Sequence, residues 1–152
     1  MVYFHNLAYD WTFIAHKLNS IANVIKKGSK IYSASGTYKG KFITFKDSLP
    51  IFMCKLSGLP KSFNLKGIQK EIFPYKYYTL ERLENNIGII SEAGENEDKK
   101  WTEEDYKLFN HNIDLINGRI NENEFDMYKY AEFYCEQDVR ILRLSFEKLK
   151  DS

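Results

Sequence analysis

Tyr134-Cys135-Glu136-Gln137-Asp138-Val139-Arg140-Ile141-Leu142, near the end of the 152-residue sequence, contains no helix breaker and winds into a two-sided helix. At about 100° per residue, Ala131, Cys135, Leu142, Phe146 and Leu149 fall on one apolar stripe. Glu132, Glu136, Arg140, Arg143 and Glu147 fall on the opposite face. Asp138 interrupts the stripe beside Leu142, with Tyr134 one turn earlier on the same side. A carboxylate turned toward a core is costly unless it is paired, hydrogen-bonded or bound to a metal. Asp138 is therefore either a functional carboxylate or a core-edge aspartate bonded to a backbone amide.

Upstream, the order of elements argues for an α/β domain. Val2 to His5 reads as a short buried strand, and Asn6-Leu7-Ala8-Tyr9 as a turn with Asp10 suited to cap a helix. Ile14, Leu18, Ile21 and Ile25 continue at helical spacing to a stop at Lys26-Lys27-Gly28. Lys30 to Ser35 and Lys39 to Lys46 read as a hairpin, its turn bracketed by Gly36 and Gly40. Leu49 to Leu56 reads as a short helix entered at Pro50 and broken at Gly58-Leu59-Pro60. The basic and aromatic stretch from Lys66 to Thr79 precedes a short helix over Leu80 to Asn85. A polar loop runs from Ser91 to Lys100, and Thr102 with Asp105 makes the capping-box pattern of a helix to Phe109. The asparagine-rich stretch from Asn110 to Asn123 reads as irregular, and Glu124 to Lys150 as the long last helix.

Bulk composition bounds the function. The length suits one domain, and 43% hydrophobic with 16% aromatic residues supplies a core. A net charge of +1 gives no global basic field, so any nucleic-acid contact must be local. Lys, Asn, Ile, Tyr and Phe are plentiful, and their codons point to an A/T-rich genome such as an organelle, a plasmid or a virus. Cys54 and Cys135 stand apart from any metal-binding spacing, which speaks against zinc and a disulfide scaffold and suits a reducing, intracellular compartment. No apolar run is long enough for a membrane span, and no signal peptide is evident.

Two carboxylates remain with chemistry to explain: Asp10, with Asn6 four residues before it, and Asp138, with Tyr134 four residues before it. Phosphodiester hydrolysis needs a nucleophilic water and charge stabilisation at the leaving oxygen, which two divalent ions supply together. Hard ions such as Mg2+ take carboxylate oxygens. A tyrosine hydroxyl can hold the water in line, and an amide can hold a sugar or phosphate oxygen. Each pair alone is common, and Asp10 is equally well read as a plain helix cap.

Context sharpens the reading. Phe4-His5-Asn6-Leu7-Ala8-Tyr9-Asp10 followed by Phe13-Ile14 resembles the second exonuclease motif of protein-primed family B DNA polymerases, the replicases of certain phages, linear plasmids and viruses. Tyr134-x-x-x-Asp138-Val139-x-Ile141-Leu142 resembles their third exonuclease motif. Between them, Asp47-Ser48-Leu49-Pro50-Ile51-Phe52 is similar to the motif with which the family contacts single-stranded DNA and the terminal protein. Leu59-Pro60-Lys61-Ser62-Phe63 and Ile72-Phe73-Pro74-Tyr75 resemble plasmid and organellar members.

The resemblance implies a partial RNase H-like exonuclease fold, a mixed sheet with flanking helices, over residues 1–152, with a polar insertion near 91–126. It implies 3′–5′ proofreading hydrolysis of single-stranded DNA ends with Mg2+ or Mn2+ in the complete domain. Asp10 and Asp138 would be the metal-associated carboxylates, and Tyr134 would orient the attacking water. Asn6, Ser48 and Leu49 would hold the single strand. Lys76, or alternatively Lys70, would be the family's catalytic lysine. The implied partners are single-stranded DNA, the terminal protein and the rest of a split polymerase, with no membrane.

The sequence departs from that pattern at one decisive point. No Asp-x-Glu occurs anywhere, and the two strands that should precede Asn6 are not in it. Polymerase motifs such as Tyr-Gly-Asp-Thr-Asp are absent too. With half of its carboxylates missing, the site is expected to bind divalent ions poorly and to cleave weakly or not at all alone. An incomplete sheet is also expected to expose strand edges and apolar surface. The competing reading is a non-catalytic module that binds single-stranded DNA or a replication protein.

Overall fold

The computed structural model describes residues 1–68 and 72–151, which divide into two compact units, residues 1–66 with those from Lys148 onward, and residues 67–147. The chain is α/β, as expected. The first unit carries a four-stranded mixed sheet with helices against it, compatible with a partial exonuclease-like fold. Among the described residues, no helix is long and apolar enough to cross a membrane.

In the first unit, β1 (Val2–Phe4) runs parallel to β4 (Lys41–Asp47), and β3 (Lys30–Tyr38) and β2 (Ser20–Lys27) complete the order β1-β4-β3-β2 by antiparallel pairing. Asn6 takes a left-handed conformation, φ 77°, and α1 (Leu7–Ile14) begins directly after it. Asp10 thus lies in the first turn of α1 and does not cap it, so the expected cap is corrected. The helix expected to continue to Lys27 is corrected as well. It ends at Ile14, one 3-10 turn follows over Ala15–Lys17, and Ile21 and Ile25 belong to β2. Ile21, Val24 and Ile25 are β-branched, a class that favours extended backbone. All of β2 is exposed and carries two register shifts, so the alternation that betrays a half-buried strand is missing.

The β3–β4 turn is made by Lys39 and Gly40, both with positive φ, 47° and 74°, as a two-residue primed turn requires. Gly36 does not bracket it but lies inside β3, where a Cβ would stand 2.4 Å from the Ser20 carbonyl oxygen. A short α2 (Leu49–Phe52), entered through Pro50, stops where Met53 turns left-handed. Pro60 opens α3 (Leu59–Ser62) and does not break a helix, because proline fits the first turn, whose N–H needs no partner.

In the second unit, α4 (Leu80–Asn85) spans the expected residues, and β5 (Ile87–Ile89) follows. The helix α5 (Glu103–Leu115) has the full capping box between Thr102 and Asp105 but runs past Phe109 into the asparagine-rich stretch. The remainder of that stretch is a hairpin, β6 (Arg119–Asn121) and β7 (Glu124–Asp126), within a sheet ordered β5-β7-β6. The last helix, α6 (Met127–Lys150), therefore starts three residues later than expected. Asp126 receives the Lys129 amide at 2.9 Å, the bond of an N-cap carboxylate. The core is aromatic: Phe109 meets Phe125 at 5.1 Å and Tyr130 at 4.6 Å, with Tyr77, Ile113 and Met127 in the same cluster.

The buried face of α6 is Met127, Tyr130, Tyr134, Ile141 and Ser145. The expected stripe through Ala131, Cys135, Leu142, Phe146 and Leu149 lies to one side of it, and Cys135 and Leu149 are exposed. Two tyrosines and a serine share that face with Met127 and Ile141, so a stripe drawn through aliphatic residues alone is rotated away from the true contact face.

Candidate functional site

The second-motif residues gather in the first unit. The left-handed turn at Asn6 is pinned by Asp47, whose Oδ1 accepts the Asn6 amide at 2.9 Å and the Leu49 amide at 3.0 Å. One carboxylate oxygen therefore fixes two residues expected to hold a DNA strand. Ser48 is fully buried, and its hydroxyl donates to the Phe4 carbonyl at 2.9 Å and lies 2.9 Å from His5 Nδ1. His5 Nε2 donates to the Cys54 carbonyl at 2.8 Å. Ser48 thus fastens β1 to the start of α2, while Asn6 and Leu49 line the cleft outside it. The role of Asp47 was readable in principle: an aspartate whose side chain accepts the amide two residues on is a known turn former.

Asp10 is half-buried on α1. Burial pushes its carboxyl above the ordinary 3.8, the nearby Asp47 carboxylate adds to the rise, and a backbone hydrogen bond offsets part of it. A carboxylate kept near another and partly out of water costs stability.

The third-motif residues gather in the second unit. Tyr134 and Asp138 stand one turn apart on α6, on the side that carries its buried face, with Asp138 half-buried. The Tyr134 ring is only 6% exposed and packs on Phe73 at 4.6 Å. Its hydroxyl is hydrogen-bonded to that of Tyr75, which is 61% exposed. Burial pushes the Tyr134 hydroxyl up to about 12, the Tyr75 bond pulls it back, and the Asp138 charge adds to the rise. At neutral pH Tyr134 is a neutral donor and acceptor. Tyr75 stands in the sequence within the Ile72-Phe73-Pro74-Tyr75 resemblance and the basic, aromatic stretch, and neither signals that it is a partner of the Tyr134 hydroxyl.

Lys76 lies on the surface beside Tyr75. Its ammonium pairs with Asp98 and its amide donates to Glu97 Oε1 at 2.7 Å. The Asp98 hydrogen bond raises its proton affinity above the ordinary lysine value of 10.5. Lys70 lies outside the described residues.

Among the described residues, no group of three or more His, Cys, Asp or Glu side chains could hold a metal ion. Within the first unit the acidic residues near the Asn6 turn are Asp10 and Asp47, and one oxygen of Asp47 already serves two amides. This donor set does not fit a two-ion hydrolytic centre, which takes several carboxylate oxygens.

The model of the family described as DNA polymerase type B, organellar and viral, matches residues 1–152. No curated protein and no solved structure matches the chain.

Proposed function

The chain belongs to the organellar and viral type B DNA polymerases, and from that premise we propose that it is the part of a protein-primed polymerase's 3′–5′ exonuclease domain that holds a single-stranded 3′ end. Membership carries DNA binding and a place in DNA replication, and polymerases of the family generally use divalent metal ions. In this proposal residues 1–152 are one exonuclease-like domain of RNase H-like kind. Asn6 and Leu49 hold the strand, with Ser48 fastening their turn from beneath. Asp10, Tyr134 and Asp138 are the residues the complete domain would use for hydrolysis, and Lys76 is the catalytic lysine.

The observation that carries this reading is the Asp47 clamp. It locks Asn6 and Leu49, from two motifs more than forty residues apart, onto one cleft. The parallel pairing of Phe4 with Asp47 brings the two motifs together, and the carboxylate then fixes the backbone of both beside that cleft. The donor set that does not fit a metal pair supports the second half of the proposal: the chain alone grips the strand and does not cut it. The terminal protein and the remainder of a split polymerase are the further partners of this reading.

Binding of labelled oligonucleotides to the whole chain, in chelator, tests it. Salt-sensitive binding weakened by Asn6→Ala supports it, because phosphate contacts are lost as salt rises. Wild-type binding that Asn6→Ala and Leu49→Ala leave unchanged would overturn it.

A further inference from the structure

A cleft of about 490 Å³ opens beside the Asn6 turn. One wall is Asn6 and Leu49; the others bring Lys30 and Tyr32 from β3, and Met53 and Lys55 from the segment after α2. We propose that this cleft is a nucleotide subsite, in which one base of a single strand stacks on Tyr32 and its flanking phosphates meet Lys30 and Lys55. The proposal rests on the reading that Asn6 and Leu49 hold single-stranded DNA, and extends it to residues that reading does not use.

Three observations point to this ligand. First, Tyr32 is the extra residue of a β-bulge: Ile25 pairs with Ser33 and Lys26 with Ile31, so Tyr32 is skipped in the ladder. Bulges re-aim a side chain, and this one gives an exposed aromatic ring a place in the cleft. Second, Met53 is 85% exposed and held at φ 53°. A flexible, polarizable thioether there offers an adaptable apolar contact for a flat ring. Third, the cleft holds two lysines against a single carboxylate, Asp47, whose Oδ1 is turned to the amides of Asn6 and Leu49. Two cations with an aromatic ring are the combination that single-strand binders use to follow a backbone and stack its bases. A metal cation would find the wrong charge, and an acidic peptide would leave the ring unused.

The test is fluorescence anisotropy of a labelled oligothymidylate with the intact chain, in chelator, over a series of KCl concentrations. Tyr32→Ala should weaken binding about tenfold at every salt concentration, and Tyr32→Phe should restore it, since the ring and not the hydroxyl stacks. The Lys30→Gln, Lys55→Gln double variant should lower the salt slope by about one to two. The subsite is wrong, and its parent reading stands, if Asn6→Ala weakens binding while these variants bind like the wild type. Both fall if the wild type does not bind the oligonucleotide. Oligoglutamate competing as well as the oligonucleotide would also overturn the subsite, because it has no base to stack.

Discussion

Asp47→Ala separates the proposed clamp from ordinary surface polarity. Two backbone amides, of Asn6 and Leu49, donate to one Asp47 oxygen at 2.9 and 3.0 Å. A net hydrogen bond to a charged group is worth about 1.5–3 kcal/mol. Both donors share one oxygen and Asn6 is exposed, so the low end applies and the pair amounts to about 3 kcal/mol. Asp47→Ala should cost that much in the first unit. Asp47→Asn keeps a neutral acceptor oxygen and should cost about half as much. The assay is urea unfolding followed by Trp11 fluorescence in a Trp101→Phe background, since the chain's two tryptophans fall one in each unit. The same variant should weaken oligonucleotide binding, because Asn6 is no longer held left-handed. An Asp47→Ala chain within about 0.5 kcal/mol of the wild type, the usual range for a surface change, would refute the clamp.

Other outcomes follow from the same geometry. The folded chain holds the Asp10 proton to higher pH than the unfolded chain does, so the stability from that carboxyl is complete below about 3.8 and lost as pH rises through the folded value. Asp10→Asn should therefore raise the urea midpoint at pH 7 and by progressively less toward pH 4; an equal gain at both would contradict the sign. Gly88→Ala would set a Cβ 2.3 Å from Phe125, a ring closed in by Phe109 and Tyr130. It should destabilise the second unit by about 2 kcal/mol, read through Trp101 fluorescence, and a neutral effect would mean the aromatic core yields. Tyr75→Phe removes the bond that pulls the Tyr134 ionisation down, so in mildly alkaline solution a smaller fraction of Tyr134 should be ionised than in the wild type, read by tyrosine-labelled carbon NMR. A larger ionised fraction would mean that the hydroxyl pair does not form.

Legibility in the sequence followed how local each cause was. The Thr102–Asp105 capping box and the span of α4 were readable because their causes lie within a few residues. The Asn6-to-Asp10 spacing was readable too, and α1 does carry Asp10 just beyond the strand–helix turn. β2 reads as helix in the sequence because Ile21 and Ile25 happen to stand four apart on an exposed, bulged strand, where no burial enforces a period of two. The buried face of α6 departs from the aliphatic stripe because Tyr130, Tyr134 and Ser145 pack inward, and polar-tipped residues do not show in an aliphatic pattern. Asp47 stands inside a recognisable motif, yet its clamp needs a partner 41 residues away. The bond between Tyr75 and Tyr134 spans 59 residues and left no periodic trace at all.

The most direct measurement is the fate of a 5′-labelled single-stranded oligonucleotide mixed with the whole chain and Mg2+ or Mn2+, for the wild type and for Asp138→Ala. Both chains should bind the strand, and neither should shorten it from the 3′ end. A metal-dependent 3′ exonuclease rate in the wild type, abolished by Asp138→Ala, would contradict this and mean that this chain assembles a complete hydrolytic site by itself.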